Sequence, residues 1–186
     1  MLENQLIDKC KTGDGEAFRR LMANYNAKLF GYLCKFSDSQ DTTDDIFQET
    51  LIKAWKGIRK YDDRKKFSSW LFAIAHNVAI DSLRIRKSKN NFVGLEEAKV
   101  NVFSAAPDEN VINEETVTMI NKSIESLSDK QKMVFMLRQQ SEMSFKEIAK
   151  TTNEPINTVL SHMRYAVKKI RKQLDGENET RQKSVI

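Results

Sequence analysis

Apolar residues recur at steps of three and four along most of this chain, and that period predicts helices. A short first helix is predicted over residues 2–10, ending at the glycine-containing stretch 12–15. A second apolar stripe, over residues 18–36, predicts one continuous helix with a buried side. No run alternates apolar and polar residues over the length of a strand, so the pattern predicts an all-α protein.

The segment 43–59 predicts a helix with two different faces. The residues expected to be buried are Phe47, Leu51, Ala54, Trp55 and Ile58. The other face carries Asp44, Asp45, Gln48, Glu49, Ile52, Lys53 and Lys56. The helix dipole favours the acidic first turn but does not explain an isoleucine beside Gln48 and Glu49. Such a face suits a protein partner, although single exposed apolar residues are also common.

Residues 61–67 combine three consecutive cations, at positions 64–66, with the flanking aromatics Tyr61 and Phe67. Cations that follow a phosphate backbone beside aromatic rings are typical of a site for single-stranded nucleic acid. Phe67 is expected to be a core anchor instead. The loop therefore predicts a contact with unpaired DNA or RNA.

The next helix is predicted to start at a cap formed by Ser68 or Ser69 and to run to about Lys87. Its inward residues are predicted to be Trp70, Leu71, Ile74, Ala75 and Val78. A second face is formed by His76, Asn77, Ile80, Arg84, Arg86, Lys87 and Lys89. The cationic end exceeds what the helix dipole alone favours, which adds to the case for a polyanion partner.

Residues 91–112 lack a helical period and are interpreted as a linker between two small domains, 1–90 and 113–175. The second domain is predicted to contain four helices, with capping boxes at Ser128 with Gln131 and at Ser144 with Glu147. The tail 176–186 is polar and is expected to be disordered.

The last two helices of this domain predict a helix-turn-helix. A short helix follows Ser144, residues 151–154 form a polar break, and Pro155 suits the start of a longer helix. That helix is predicted to turn Val159, Met163, Val167 and Ile170 inward. Its other side carries Asn157, Thr158, Ser161, His162, Arg164, Tyr165, Lys168, Lys169, Arg171 and Lys172. Such a basic, amide-bearing face is what a major-groove reader needs, although an ordinary hairpin with a solvated face would look similar.

Charge and composition limit the possibilities further. The 186 residues carry a net charge of +5, distributed as +5 over residues 1–90, −5 over 91–126 and +5 over 127–186. Two basic modules around an acidic connector suggest two contacts with a polyanion. Neither a signal peptide nor an apolar run of membrane-spanning length is present, so a cytoplasmic protein is expected. The two cysteines and two histidines are isolated along the chain, so no metal or cofactor site is expected.

Five sequence blocks together resemble the extracytoplasmic-function group of bacterial sigma-70-type sigma factors. The blocks are residues 13–21; 44–50 with Ala54 and Trp55; 67–71 with Ile74, Ala75, His76, Asn77 and Asp81; 127–128 with Gln131; and 157–159 with Ser161. They cover nearly the whole chain in the order and spacing of the family. This is far more specific than a helix-turn-helix alone.

The resemblance implies a sigma-2-like domain and a sigma-4-like domain that bind core RNA polymerase, through its β and β′ type subunits, and promoter DNA. The predicted polymerase-binding residues are those of the polar face of helix 43–59 given above. The predicted −10 DNA-binding residues are Tyr61, Arg64, Lys65, Lys66, Ser68, His76, Asn77, Arg84, Arg86 and Lys87. The predicted −35 DNA-binding residues are Asn157, Thr158, Ser161, His162, Arg164, Tyr165, Lys168, Arg171 and Lys172. The resemblance also implies an anti-sigma factor as a partner and no catalytic activity.

The chain departs from the family pattern at four positions. The family often carries arginine where this chain has His76 and His162, and basic residues where it has Tyr165 and Val167. The −35 contacts are therefore expected to differ in detail.

Two other functions, a free-standing regulator and a nucleic-acid enzyme, fit part of this pattern. A free-standing helix-turn-helix regulator would share the DNA-binding half, but the chain shows no heptad helix for dimerisation. A nucleic-acid enzyme would need clustered carboxylates or an activated nucleophile, and the adjacent pairs at 44–45 and 62–63 do not supply one. A promoter-specificity factor is the favoured function.

Overall fold

The computed structural model describes residues 2–37, 39–90 and 114–183, and every regular element in these ranges is a helix. The predicted all-α fold is confirmed. The chain forms two compact units, Met1–Ala105 and Ala106–Ile186. The predicted linker 91–112 lies outside the described residues. Within the described ranges, no helix is long and apolar enough to cross a membrane.

The first unit contains five α-helices. They are α1 (Glu3–Lys11), α2 (Gly15–Ala23), α3 (Asn26–Leu33), α4 (Gln40–Gly57) and α5 (Phe67–Asn90), with 3-10 turns at Cys34–Phe36 and Ile58–Lys60. The fully buried side chains of its core include Leu21, Leu29, Tyr32, Leu33, Ile58, Phe67, Leu71, Phe72 and Val78. Cys10 and Cys34 are free, buried thiols whose pKa is raised by burial.

The single helix predicted over residues 18–36 is wrong, because the chain bends between α2 and α3. The Asn24 and Tyr25 amides donate to the Leu21 and Met22 carbonyls, a tighter pattern than that of an α-helix. The Tyr25 ring packs 5.5 Å from Phe67, and its hydroxyl donates to a Glu3 carboxylate oxygen at 2.5 Å. These tertiary contacts stabilise a bend that the apolar stripe does not reveal.

Helix α4 begins earlier than predicted, because Ser39 caps it by accepting from the Thr42 amide at 3.2 Å. Its most buried line is Thr43, Ile46, Thr50, Ala54 and the following Ile58. Phe47, Leu51 and Trp55 are only half-buried. Both buried threonine hydroxyls donate to backbone carbonyls, that of Thr50 to Ile46 at 2.7 Å and that of Thr43 to Ser39 at 3.0 Å. The prediction therefore centred the buried face on Phe47, Leu51 and Trp55, whereas its true centre lies on the line through Ile46 and Thr50.

Helix α5 begins at Phe67, so Ser68 and Ser69 lie in its first turn and neither is the predicted cap. It continues to Asn90, slightly beyond the predicted end. The core includes Phe72 and Ala79 in addition to Leu71, Ala75 and Val78, which were expected there. Trp70 and Ile74 are half-buried.

The second unit contains α6 (Glu114–Glu125), α7 (Asp129–Ser141), α8 (Phe145–Thr152) and α9 (Ile156–Lys183). Its core includes Leu127, Val134, Leu137, Met143, Ile148, Val159 and Ala166. The capping box of α8 is confirmed, as the Ser144 amide donates to a Glu147 carboxylate oxygen at 2.8 Å and the Glu147 amide donates to Ser144 Oγ at 3.3 Å. At the start of α7, the Ser128 amide donates to Gln131 Oε1 at 3.3 Å.

Helix α9 differs from its prediction in length and in one buried position. It runs to Lys183, so residues 176–183 are helical rather than a disordered tail. This stretch contains one glycine and no proline, and a lone glycine weakens a helix without stopping it. Val167 is 39% exposed, while Ala166 is completely buried and takes the inward position.

Candidate nucleic-acid and polymerase interfaces

The polar face of α4 is solvent-exposed, as predicted from its spacing. Asp45, Gln48, Glu49, Ile52, Lys53 and Lys56 are exposed, and Asp44 is half-buried. Glu49 and Lys53 form an ion pair of 2.8 Å one helical turn apart. Ile52 is 53% exposed, so this face presents an apolar side chain among carboxylates, an amide and cations. An exposed apolar side chain in such a setting is a candidate for burial against a protein partner.

The loop between α4 and α5 rests on an aromatic cluster. Tyr61 lies 5.5 Å from Phe67 and 5.2 Å from Trp70, measured between ring centroids, and Phe67 lies 5.4 Å from Trp70. The prediction that Phe67 is a core anchor is confirmed by its 2% exposure. Tyr61 is also a predicted DNA contact, but the structure buries it in this cluster. Its ring is only 6% exposed, because its hydroxyl donates to the Lys65 carbonyl and its face packs in the cluster.

The cations of this loop project into solvent above the aromatic cluster. Arg64, Lys65 and Lys66 are exposed. The Arg64 guanidinium donates from Nε and Nη2 to the Asp62 carboxylate, each at 2.9 Å, and these hydrogen bonds lower the pKa of Asp62 to about 2. The loop thus carries positive side chains above the aromatic cluster. One of them, Arg64, is oriented by the carboxylate of Asp62.

Two of the residues predicted on the DNA face of α5 are held inside the unit. His76 is 5% exposed, and its Nδ1 lies 3.0 Å from the Tyr32 hydroxyl. Burial raises the pKa of Tyr32 well above its usual value, so this hydroxyl keeps its proton and can donate it to Nδ1. Arg86 donates from Nη2 to the Phe36 carbonyl. His76, a predicted DNA contact, is therefore buried in the first unit, and Arg86 is partly buried against the unit's own backbone.

The remaining α5 residues are accessible in different degrees. Asn77 and Arg84 are exposed, Ser68 is half-buried, and Arg84 lies 3.5 Å from an Asp81 carboxylate oxygen. The side chain of Lys87 lies outside the described part of the chain. Sequence reasoning missed Ile85, which is 57% exposed beside Arg84. Its position between Arg84 and Arg86, in the basic end of the helix, is the sequence signal that could have indicated exposure.

The helix-turn-helix is built by local interactions. Asn153 ends α8 in the left-handed conformation, with φ of 54°, and its amide donates to the Ala149 carbonyl. The Pro155 carbonyl accepts from the Thr158 and Val159 amides, so Pro155 lies immediately before α9. Lys130 of α7 donates to Glu154 in the turn at 2.6 Å. These contacts hold α9 against the body of the second unit.

The outer face of α9 carries the predicted DNA-reading residues. Exposed members are Asn157, Ser161, Arg164, Tyr165, Lys168, Arg171 and Lys172, and Thr158 and His162 are half-buried. His162 Nε2 lies 3.6 Å from a Glu154 carboxylate oxygen. The ring lines a shallow depression with Ser128, Gln131, Asn157, Thr158, Ser161 and Tyr165. The face therefore joins hydrogen-bonding groups near the start of α9 to cations farther along it.

Metal chemistry has no visible site in the described ranges. They contain no group of three or more His, Cys, Asp or Glu side chains that could hold a metal ion.

Two sequence-family models match this chain. Sigma-70 region 2 matches residues 21–89, and Sigma-70, region 4 matches residues 118–170. The first match covers the loop and the exposed faces of α4 and α5, and the second covers α7, α8 and most of the outer face of α9.

Several characterised proteins are similar over almost their whole length. The chain is 30% identical over 184 residues to the ECF RNA polymerase sigma factor SigW of Bacillus subtilis, covering 94% of this chain and 97% of that protein. It is 27% identical to the RNA polymerase sigma-H factor of Pseudomonas aeruginosa, covering 87% and 88%. It is 28% identical to the ECF RNA polymerase sigma-E factor of Escherichia coli, covering 88% and 89%.

Solved structures share the fold. The sigma factor RpoE of Bartonella quintana, in complex with the anti-sigma factor NepR, matches with a TM-score of 0.66 at 21% identity, covering 85% of this chain and 96% of that chain. CnrH, in complex with the cytosolic domain of CnrY, matches with a TM-score of 0.61 at 21% identity, covering 94% and 97%.

Proposed function

The chain belongs to the ECF RNA polymerase sigma factors, and we propose that separate exposed surfaces of it bind the polymerase and the promoter. It binds core RNA polymerase and directs initiation at particular promoters by recognising their −10 and −35 elements. It is a binding protein in this process and breaks no bond. We place it in the cytoplasm, where bacterial polymerase transcribes.

The exposed face of α4 is the proposed polymerase-binding surface. The observation that carries this assignment is Ile52, an apolar side chain 53% exposed beside Gln48 and Glu49. A central apolar residue surrounded by polar groups is the usual composition of a protein interface. The resemblance of residues 44–50 to the family pattern points to the same surface.

The exposed residues 62–66 of the loop and the exposed side of α5 form the proposed −10 surface. Arg64, Lys65 and Lys66 are positioned to contact phosphates, and Asn77 and Arg84 offer hydrogen bonds farther along α5. Binding energy gained only with the unpaired strand favours the melted promoter over the duplex. Tyr61 and His76 are left out of this surface, since both are buried.

The outer face of α9 is the proposed −35 surface. Asn157, Ser161, His162 and Arg164 lie near the start of the helix, where base edges are usually read, and Lys168, Arg171 and Lys172 lie where phosphates are usually contacted. Tyr165 is 55% exposed between these groups. An arginine or asparagine that pairs with a base in two hydrogen bonds discriminates by about 1–3 kcal/mol, whereas phosphate contacts add affinity without sequence preference.

We also propose an anti-sigma factor as a regulatory partner. The support is that proteins of the same fold, RpoE and CnrH, were solved as complexes with NepR and with the cytosolic domain of CnrY. Such a partner would need to cover the polymerase-binding or DNA-binding faces described above.

The decisive experiment measures core binding by an Ile52→Asp variant. A charge placed at the centre of the interface is expected to weaken binding to purified core polymerase by at least about tenfold. Binding of the free protein to −35 duplex is expected to be unchanged. Ile85→Asp is the matched control, because Ile85 is equally exposed on the same unit but lies on α5. Equal core binding by wild type and the Ile52 variant would reject the assigned surface, and failure of wild type to support core-dependent run-off transcription would reject the function.

A further inference from the structure

Helix α1 lies outside the residues matched by the region 2 family model, yet it packs against the turn that leads into the loop 61–66. The model match begins at residue 21, whereas α1 spans Glu3–Lys11. Leu6, Ile7 and Cys10 are 5%, 3% and 1% exposed. Helix α1 packs on α2 and on the 3-10 turn Ile58–Lys60, which leads directly into the loop.

The last turn of α1 reaches the loop through Lys11. Its Nζ lies 2.5 Å from Asp63 Oδ2 and 5.6 Å from the centroid of the Tyr61 ring. The Lys11 side chain is 23% exposed, and the Asp63 side chain is 64% exposed. A single ammonium thus contacts a loop carboxylate and the aromatic ring on which the loop rests.

The first turn of α1 is connected to the same aromatic cluster through Tyr25. Glu3 accepts from the Tyr25 hydroxyl at 2.5 Å, and the Tyr25 ring packs 5.5 Å from Phe67. Phe67 in turn lies 5.5 Å from Tyr61, whose hydroxyl donates to the Lys65 carbonyl. Both ends of α1 are therefore connected to the backbone that carries Lys65 and Lys66.

We propose that α1 braces the loop 61–66, and that Lys11 and Asp63 are positioning residues for binding of the unpaired −10 strand. This inference rests on the proposed −10 function of the loop. The loop's two carboxylates have separate roles: Asp62 orients Arg64, and Asp63 ties the loop to Lys11. Fixing the loop before DNA arrives lowers the conformational entropy lost on binding, which raises affinity without any contact between Lys11 and DNA.

Positioning of the loop by the Lys11–Asp63 pair and simple electrostatics predict opposite changes in DNA affinity when Asp63 loses its charge. Removing a negative charge beside a cationic loop would strengthen DNA binding if long-range charge alone mattered. If the Lys11–Asp63 pair positions the loop, Asp63→Asn weakens binding, as does Lys11→Met. Each single variant is expected to lose about 2- to 5-fold in affinity for the unpaired strand, the range of a partly exposed ion pair.

The test uses holoenzymes assembled from core polymerase and the full chain, with a single-stranded −10 oligonucleotide as the probe. We expect Lys11→Met, Asp63→Asn and the double variant to bind it equally weakly, since the pair is lost in all three. Lys11→Arg is expected to bind the oligonucleotide as tightly as wild type, because it keeps the positive charge. Lys9→Met is the control, because Lys9 is exposed on the same helix. Tighter binding by Asp63→Asn, or additive losses in the double variant, would overturn the proposal.

A second measurement on the free protein separates this proposal from the assigned −10 function. Amide hydrogen exchange of residues 61–66 is expected to speed up in Lys11→Met and not in Lys9→Met, while the helical circular dichroism of both stays that of wild type. Unchanged exchange in Lys11→Met would reject the brace, even if the loop binds DNA. Faster exchange combined with a wild-type holoenzyme that does not bind the oligonucleotide would support the brace and reject the −10 assignment.

Discussion

At the level of single residues, hydrogen bonds made by two aromatic side chains hold them inside the first unit, although both were predicted to contact DNA. Tyr61 and His76 are amphiphilic, so each can face either DNA or the core. Each found a partner inside the unit, the Lys65 carbonyl for Tyr61 and the Tyr32 hydroxyl for His76. Once these hydrogen bonds are made, burying the ring costs little and gains apolar contact.

The Tyr32–His76 pair predicts a stability effect. Tyr32→Phe removes the hydroxyl and leaves the buried His76 Nδ1 without that partner, so the free energy of unfolding should fall by about 1–3 kcal/mol. Urea denaturation of the full chain measures the loss. Tyr165→Phe is the control, because Tyr165 is exposed on α9 and should change stability by less than about 0.5 kcal/mol. Equal stability of Tyr32→Phe and wild type would show that the hydrogen bond contributes nothing.

At the scale of elements, the turn between α8 and α9 depends on one backbone conformation. Asn153 adopts φ of 54°, where a β-branched residue is strained. Asn153→Val is expected to cost about 1–2 kcal/mol, whereas Asn153→Gly should lie within a few tenths of a kcal/mol of wild type. Thermal unfolding of the two variants makes the comparison at one position. A valine variant as stable as the glycine variant would contradict the left-handed turn.

The cations on the outer face of α9 are the proposed phosphate contacts at the −35 element. Replacing both Lys168 and Arg171 by alanine should weaken binding to every duplex and reduce the slope of log K against log salt by about 0.9 for each lost phosphate contact. Binding titrations at several salt concentrations measure the slope. Asn157→Ala should instead change the preference among −35 sequences and leave the slope unchanged. A slope unaffected by the double replacement would remove these cations from the phosphate contacts.

At the scale of the whole molecule, the two units have separate hydrophobic cores. Ile148 is completely buried in the second unit, and Leu71 is completely buried in the first. Replacing either with alanine should cost about 2–5 kcal/mol, which is a large share of the stability of a small domain. Because each core stabilises its own unit, the two losses should remain local.

Hydrogen exchange of the full chain tests this independence. Ile148→Ala should accelerate exchange of α7, α8 and α9 and spare α3, α4 and α5, and Leu71→Ala should do the reverse. Acceleration across both units by either substitution would indicate that they unfold together.

Much of the architecture was predictable, because the signals that specify helices are local. The period of apolar residues predicted the first helix, and the spacing of Ser144 and Glu147 predicted the start of α8. The exposed face of α4 was also predictable, since residues three and four apart share one side of a helix. Helix ends were less accurate. Ser39 rather than a residue near Thr43 caps α4, and α9 passes Gly176 without stopping.

Local signals in the sequence specify the all-α class, the helix-turn-helix and the location of the charged faces, because capping, periodicity and charge spacing act within a few residues. Packing of the folded chain sets the bend between α2 and α3 at Tyr25, the burial of Tyr61 and His76, and the contact between Lys11 and Asp63. The bend, the burial of His76 and the Lys11–Asp63 contact depend on residues distant in sequence, and the last pair is separated by 52 positions. Tyr61 instead packs on Phe67 and Trp70, which follow it closely in the chain. Such contacts form when packing brings helices together. A local sequence pattern therefore does not predict which amphiphilic side chain is buried.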